Sequence, residues 1–566
     1  MNLFDKALRA VAPKMFADRE ISKAKASAAV AIRRQVDVMN YGYGDHGASR
    51  HKNSLKAWNP VGADADLDIH EPLERLRPRA RDLFMGAALA NGALKKQRTS
   101  IVGTGLVLKP TFDAEFLGLS EKEAEDLRKT IVREFSLWAD KKHADADGMN
   151  DFYELQQLAF LSWLMSGECF ALLPINKRRE SLYDLRVKIL EADRCPDGKT
   201  SMPTSEGNRI VAGVEIDETG NVVAYHFTKH HPGNIYYDQG ITERVEVYGR
   251  TTGRVNVIHL MESERPEQRR GVPVLAPVIE SLKQLQRYTE AELQAAVISS
   301  MFTVFITSET AELEDFQIGV PNPTGEPLPN MVEGDISIGN GVVNRLEPGE
   351  KVEIANPARQ NASFEPFVQA VLRQVGSALE IPYEILINHF DASYSAARAS
   401  LLEAWKMYRM RRTWLAKSFC QPIYEEWFVE AVTKGRINAP GIFDDPAIFA
   451  AYTKAAWHGP SQGQMDPTKE ADAAAKRIAL GLSTYESEAA EISGTDYEQN
   501  IRRLAAEKKL REKYGVPTAE ESASKAAADS AAAAAQAAKD SAAEEDASDE
   551  DEQSNEGGEN ENEDSN

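Results

Sequence analysis

The sequence predicts an α+β protein in which helical stretches flank a β-rich middle, followed by a tail that cannot join a core. Three observations predict this. Apolar residues recur at three- and four-residue spacing over 73–97, over 120–138 and again after Pro273. Alternating and turn-punctuated runs fill 182–261. From Thr518 onward there is no aromatic residue and no aliphatic one larger than Ala, so this stretch has nothing with which to bury apolar surface.

The chain has 566 residues, 42% of them hydrophobic, enough for several domains and a sizeable core. Its formal charge of −22 is uneven: twelve Asp or Glu and no Lys or Arg lie between Glu544 and Asp564, which leaves −10 on the remainder. An acidic body is poorly suited to gripping nucleic acid, because that affinity comes from neutralising phosphates. It is compatible with a wall along which a duplex slides. Cys169, Cys195 and Cys420 are far apart and odd in number, which argues against a disulfide framework and for a reducing compartment; no CxxC or Cys/His pairing suggests zinc. The first sixteen residues carry Asp5, Lys6 and Arg9 among apolar positions and lack a signal-peptide core. Residues 158–175 are apolar except for Ser162, Ser166, Gly167 and Glu168. A charge beside a glycine near the centre of that run favours a buried helix, a turn at Ser166-Gly167 and a strand over a membrane span.

Taken in order, residues 1–70 read as a flexible arm, with Tyr41-Gly42-Tyr43-Gly44 and the acidic run 64–68. A helix is expected over 73–97, carrying Arg75, Arg77, Arg79 and Arg81. A strand bent at Gly103 and Gly105 is expected over 101–108. Ser120 with Glu123 three residues on forms a capping-box signature for the next helix. In the β-rich middle, Leu185, Val187 and Ile189 alternate with Arg186 and Lys188, and 217–221 marks a hairpin between 211–216 and 222–227. Pro273 suits the first turn of a long helix, with Leu275, Ile279, Leu282, Leu285, Leu293 and Val297 along it. Short strands and Pro/Gly turns fill 302–360, and a second helix over 364–379 stops before Pro382. The longest helix spans 396–432 and should kink at Pro422. Short Ala-rich helices follow at 468–480 and 496–514.

Signs of chemistry are few. Residues 193–200 end in Gly198-Lys199-Thr200, but Asp193 stands where a phosphate-binding loop needs its first glycine and Pro196 removes a backbone N–H. Gly103-Thr104-Gly105 lacks the third glycine of a dinucleotide loop. His226, His230 and His231 sit at a strand end, where solvated side chains are the simpler reading than a metal site. No GxSxG or HExxH occurs. Lys406, Arg409, Arg411, Arg412 and Lys417 form a basic cluster on the longest helix, beside Leu401, Trp405, Tyr408, Leu415, Ile423 and Trp427. A solvated basic face over an aromatic core, direct contacts to DNA, and pairing with a neighbouring subunit are the three readings of that cluster.

A series of blocks stands out in order along the chain. The blocks are Leu76-Arg77-Pro78, Ile101-Val102-Gly103-Thr104-Gly105-Leu106, Ala144-Asp145-Ala146-Asp147-Gly148 with Phe152, Leu155 and Gln156, then Gly167-Glu168, Gly213-Val214-Glu215 and Ala224-Tyr225-His226. Further along come Arg270-Gly271-Val272-Pro273, Leu346-Glu347-Pro348-Gly349-Glu350, Ile381-Pro382-Tyr383-Glu384, Tyr394-Ser395-Ala396-Ala397-Arg398 and Asp466-Pro467-Thr468. In their order and spacing these blocks resemble the lambda-type portal protein family of tailed bacteriophages, with Ser395-Ala396-Ala397 standing where Ser-Ser-Ala is expected. The resemblance implies a portal fold with wing, stem, clip and crown, assembled as a homododecameric ring. It implies a wing at 71–272, a first stem helix at 273–302, a clip at 303–360, a second stem helix at 361–382 and a tunnel loop at 383–398. A kinked wing-to-crown helix at 399–435 and a crown at 436–517 would follow, with the acidic tail, 518–566, outside the resemblance.

What the resemblance implies for function is a DNA translocation channel at one capsid vertex of the virion, assembled in the host cytoplasm, serving genome packaging, retention and ejection. It implies no enzymatic activity, no cofactor, no metal and no membrane. The partners implied are copies of the chain itself, double-stranded DNA, the terminase large subunit, the major capsid protein and, as head–tail connector, a head–tail adaptor. Asp391, Ser393, Tyr394 and Arg398 are then the candidate DNA-facing residues, and Lys406, Arg409, Arg411 and Arg412 the candidate basic contacts.

Overall fold

Helix-forming composition and well-placed caps account for most of the chain in a computed structural model, which describes residues 3–38, 46–196, 204, 206–234, 236, 242–300, 304–308, 350–354, 364–389, 393–462, 466–517 and 521–537. Residues 1–68 and 69–566 form two units. The first contains α1 (Leu3–Val11) and α2 (Pro13–Val38), and α3 (Ala65–Gly86) begins within it. The expected arm is therefore largely helical. Its glycine run and acidic stretch suggested looseness, but the Ala, Lys, Arg and Glu of 13–38 are strong helix formers.

In the second unit α3 is followed after Ala87 by α4 (Ala88–Ile101). The bent strand expected over 101–108 does not form as such: α4 runs into that stretch. Gly103, at φ +59°, ends the helix by donating its N–H to the Arg98 carbonyl. Only β1 (Val107–Pro110) is extended. α5 (Glu121–Ala139) carries the expected Ser120/Glu123 capping box, and α6 (Phe152–Ser166) has a second one from Asp151 and Glu154.

α6 is buried on most sides, stops at Gly167 with φ +84°, and turns directly into β2 (Glu168–Leu172). The apolar run 158–175 is thus a helix, a turn and a strand as expected, and no described helix is long and apolar enough to cross a membrane.

β2 is the central strand of an antiparallel sheet with β3 (Lys188–Glu191) and, further along the chain, β8 (Val257–Met261). Between them β4 (Arg209–Val211), β5 (Val214–Ile216), β6 (Val222–Thr228) and β7 (Thr242–Glu246) form a four-stranded meander. The β5–β6 hairpin is the expected one, with Asp217 accepting from the N–H groups of Thr219 and Asn221. The alternation at 185–189 fails at Arg186, which is buried and donates to the carbonyls of Tyr183 and Leu185.

α7 (Ile279–Ser300) follows, then the antiparallel pair β9 (Val304–Ser308) and β10 (Glu350–Ile354), α8 (Phe364–Ala378) and the five-residue α9 (Tyr383–Ile387). The expected kink at Pro422 is a π-turn: α10 (Tyr394–Leu415) passes through Ala416–Cys420 into α11 (Gln421–Thr433). α12 (Pro446–Thr453), β11 (Ala455–His458), α13 (Pro467–Ala479), α14 (Tyr485–Glu488), α15 (Tyr497–Tyr514) and a fully exposed helix over 521–537 complete the described chain.

β11 pairs with β1, opposing His458 to Val107, and α11 packs its rings onto those of α5 and α6. Trp427 meets Phe135 edge-on at 5.0 Å, and Phe419 of the π-turn stacks on Phe152 at 6.3 Å. One continuous core thus joins residues from 80–187 to residues from 404–452, and the boundary expected at 436 crosses it. A smaller core, built on Phe170, Val214, Tyr225 and Phe227, lies between the two sheets.

Candidate functional site

Three of the sequence blocks meet around one buried carboxylate. Glu168 opens β2, fully buried, with Arg77 of α3 and Arg270, both at most 2% exposed. Arg77 Nη2 donates to its Oε1 at 2.6 Å and Arg270 Nε to the same oxygen at 2.8 Å. The Gly271 N–H donates to Oε2 at 2.7 Å, and His259 Nε2 lies 2.9 Å from that oxygen. Burial alone would raise the Glu168 carboxyl, but Arg270 and then Arg77 outweigh it and hold it well below the ordinary carboxylate range. Burial pushes His259 down despite Glu168; its Nε2 faces Glu168, and its Nδ1 lies 3.3 Å from the Tyr225 hydroxyl.

The remaining Arg270 donors go to the carbonyls of Ala212, Ala192 and Cys195. A Cβ on Gly271 would lie 2.1 Å from the Gly167 carbonyl oxygen, so only glycine permits this crossing. The Val274 N–H then donates to the Leu164 carbonyl. The result is a rigid mount that fixes the start of α7 against α6 and the three-stranded sheet. The cluster is not legible in these blocks taken one at a time. A charge beside Gly167 in an apolar run was its one visible sign.

From this mount α7 emerges beside α8. Tyr288 contacts Phe364 and Phe367 with ring centroids 5.3 Å apart in each case. Leu293 and Val297, further along α7 on the side turned away from Tyr288, are exposed, as is Phe367.

The candidate DNA-facing residues lie beyond α9. Asp391 is outside the described residues, as is most of 303–360 and the acidic run 544–564. Ser393 is exposed and caps α10 by accepting the Ala396 N–H; Tyr394 is the first residue of α10, and Arg398 is half-buried one turn further along.

The basic cluster divides. Lys406 pairs with Glu403 and Arg409 with Glu491 on the surface. Lys417 is exposed. Arg411 is buried, donating to Gln97 and to Glu380, with its guanidinium over the Trp163 ring. Arg412 donates to the carbonyls of Ser100 and Ile101, closing the end of α4, and burial lowers its pKa to about 10. The cluster is therefore not one solvated basic face. Sequence spacing alone cannot distinguish an arginine that faces water from one that reaches back to cap a neighbouring helix.

The three histidines also separate. His226 pairs with Glu215. His231 Nε2 lies 3.3 Å from both Glu191 and Asp193. That trio has metal-ligand chemistry, but His231 Nδ1 accepts the Gly233 N–H, which leaves the proton of a neutral ring on Nε2, facing the carboxylates, where a metal would need a lone pair. Asp193 is also bound by Arg81. Of the stretch 193–200, residues 197–200 lie outside the described residues, and Arg194 donates to the carbonyls of Thr228 and Lys229.

Comparison with known proteins places these features in a family. The model of the lambda family of phage portal proteins matches residues 51–412. Portal protein B of Escherichia phage lambda is 25% identical over 487 residues, covering 83% of this chain and 90% of that protein. The portal protein of Escherichia phage N15 is 26% identical, covering 82% and 89%. A probable portal protein of Halomonas phage phiHAP-1 is 23% identical over 476 residues. Among solved structures, a chain from the neck of a native GTA particle computed with C12 symmetry aligns with 73% of this chain at 13% identity and a TM-score of 0.38. With its family model matched from residue 51 to residue 412, and with Arg77, Gly167-Glu168 and Arg270-Gly271 drawn together at the root of α7, the chain belongs to the lambda family of phage portal proteins.

Proposed function

We propose that copies of this subunit, twelve by expectation, close into a ring whose bore conducts double-stranded DNA at the capsid vertex during packaging, retention and ejection. The observation that carries this reading is membership of the portal family across most of the chain. The exposure of Leu293, Val297 and Phe367 supports it, because apolar positions projecting from a helix pair call for cover from neighbouring subunits. The acidic body supports a bore that guides rather than holds, since few phosphates would be neutralised at any one position. On this reading α7 and α8 are stem, 303–360 is clip and the docking surface for the terminase large subunit and later the head–tail adaptor, and the major capsid protein surrounds the ring. The loop at 389–393, with Ser393, Tyr394 and Arg398 at its exit and Asp391 within it, faces the duplex, and ATP hydrolysis is left to the terminase.

Averaged electron-microscopy top views of the purified full-length protein test the ring: rings with an open centre are expected, and single copies or closed discs would refute the reading. Deleting 389–395 should leave rings intact while heads package or retain less DNA. DNA filling equal to the parent would remove the loop from the mechanism.

A further inference from the structure

The segment that carries α8 into the loop is held at both ends by two adjacent residues of α4. At its far end, Lys96 Nζ donates to the carbonyls of Ile385 at 2.7 Å and Leu386 at 2.8 Å. These are among the last carbonyls of α9, which have no partner within the helix. At its near end Gln97 binds Arg411, and Arg411 binds Glu380 at 3.4 Å. Glu380 is a non-glycine residue at φ +58°, in the turn that closes α8, where the Ile381 N–H reaches back to the Gly376 carbonyl. Asn388, at φ +57°, closes α9 in the left-handed conformation that asparagine tolerates. Both reversals of the path are thus tied to α4, which is itself fixed: Leu94 and Ile101 lie in the main core and Arg412 binds its last carbonyls.

We propose that Lys96 is a positioning residue that sets the direction in which the chain leaves α9 for the loop at 389–393, with Gln97, Arg411 and Glu380 fixing the other end of the same short segment. Lys96 is half-buried and no carboxylate pairs with it among the described residues; burial lowers its pKa. An ammonium group drawn from water onto two carbonyls gains little stability in return, which suits a locating contact better than a stabilising one. The consequence for DNA rests on the portal reading above; the geometry does not.

Two readouts separate these. The native cysteines are buried, so a nitroxide on Ser395→Cys, an exposed position just past the loop, reports local motion in the full-length protein. Lys96→Met should raise the mobility of that label several-fold with an unfolding midpoint equal to the parent's, Lys96→Arg should restore the parent spectrum, and Glu380→Gln should produce a smaller change of the same kind. Identical spectra in Lys96→Met and parent would overturn the proposal whatever the heads do. In assembled heads, Lys96→Met should lower the fraction of packaged DNA retained. If the label is freed while retention is unchanged, the positioning role stands and it is the loop's role against DNA that fails.

Discussion

Glu168 concentrates more of the subunit's specificity than any other side chain described above. Its two oxygens accept from Arg77, Arg270, His259 and the Gly271 N–H, and none of these groups can turn to water without opening the junction between α6, β2 and the root of α7. A buried ion cluster adds little net stability, because desolvation offsets attraction, but removing one member leaves the others unpaired. Glu168→Gln keeps the shape and deletes the charge facing two buried guanidinium groups. We expect it to destabilise the subunit by about 3–5 kcal/mol, measured by urea unfolding. A loss below about 1 kcal/mol would mean that water reaches the arginines and that the cluster is not the mount described here. Gly271→Ala tests the same junction sterically. Its Cβ would meet backbone on the opposite side, at Gly167, and no side-chain rotation can relieve that contact, so the expected outcome is insoluble protein.

At the scale of elements, what the sequence reveals depends on whether the determinant is local. The Ser120/Glu123 box is local: the Glu123 N–H donates to the Ser120 hydroxyl oxygen, and the Ser120 N–H to Glu123 Oε2 at 2.9 Å. Ser120→Ala should therefore cost about 1 kcal/mol of unfolding free energy, while Asp151→Asn, which keeps an acceptor at the second box, should cost only a few tenths. The turn at Ser166-Gly167, the β5–β6 hairpin and the helices around Phe364 and Asp466 were legible for the same reason, whereas the helix expected to open at Pro273 begins only at Ile279, after a 3-10 turn over Ala276–Val278. The stretch 101–108 was misread because β-branched Ile101 and Val102 favour extended chain locally, whereas burial of Ile101 in the main core draws it into α4. The π-turn was invisible because it resolves a conflict rather than following a preference. Pro422 cannot donate an N–H, and the wider turn just before it, closed by the Gln421 N–H on the Ala416 carbonyl, lets the helix continue with Trp427 and Phe428 still in the core. The site was legible only as blocks. Nothing within Arg77-Pro78, Gly167-Glu168 or Arg270-Gly271 taken singly states that the three share a carboxylate, and Arg411 and Arg412 looked like surface charge because their partners lie some three hundred residues earlier.

For the whole subunit these buried pairs set a direction for acid sensitivity. Glu168 is held below its ordinary range as described, and His259 is lowered by burial. Burial would raise Glu134, but Arg436 and Tyr183 hold it low. Glu215 is lowered to about 2, first by Arg244, with Asn208 and His226 adding to the effect against burial. In each case the folded group binds its proton at a lower pH than the unfolded one. The stabilisation is complete above the unfolded pKa, near 6.5 for the histidine and about 4.3 for the glutamates, and is lost as pH falls through the folded values. Glu425 and Glu426 act in the opposite sense: burial raises both, so their contribution is larger at low pH and declines as pH rises through the folded values. The loss at His259 below about 6.5 sets a shallow decline from pH 7 to about 5, against which Glu425 and Glu426 act, and the lowered glutamates, the fully buried Glu168 among them, set a steep fall below about 4. Urea midpoints measured from pH 7 to pH 3 should trace that limb in the parent. In Glu168→Gln the limb should be shallower, because the proton uptake that drives it has been removed at the position where folding opposes it most. If the variant lost stability equally at every pH, so that the two limbs ran parallel, the charge on Glu168 would not be what ties the root of α7 to the rest of the subunit.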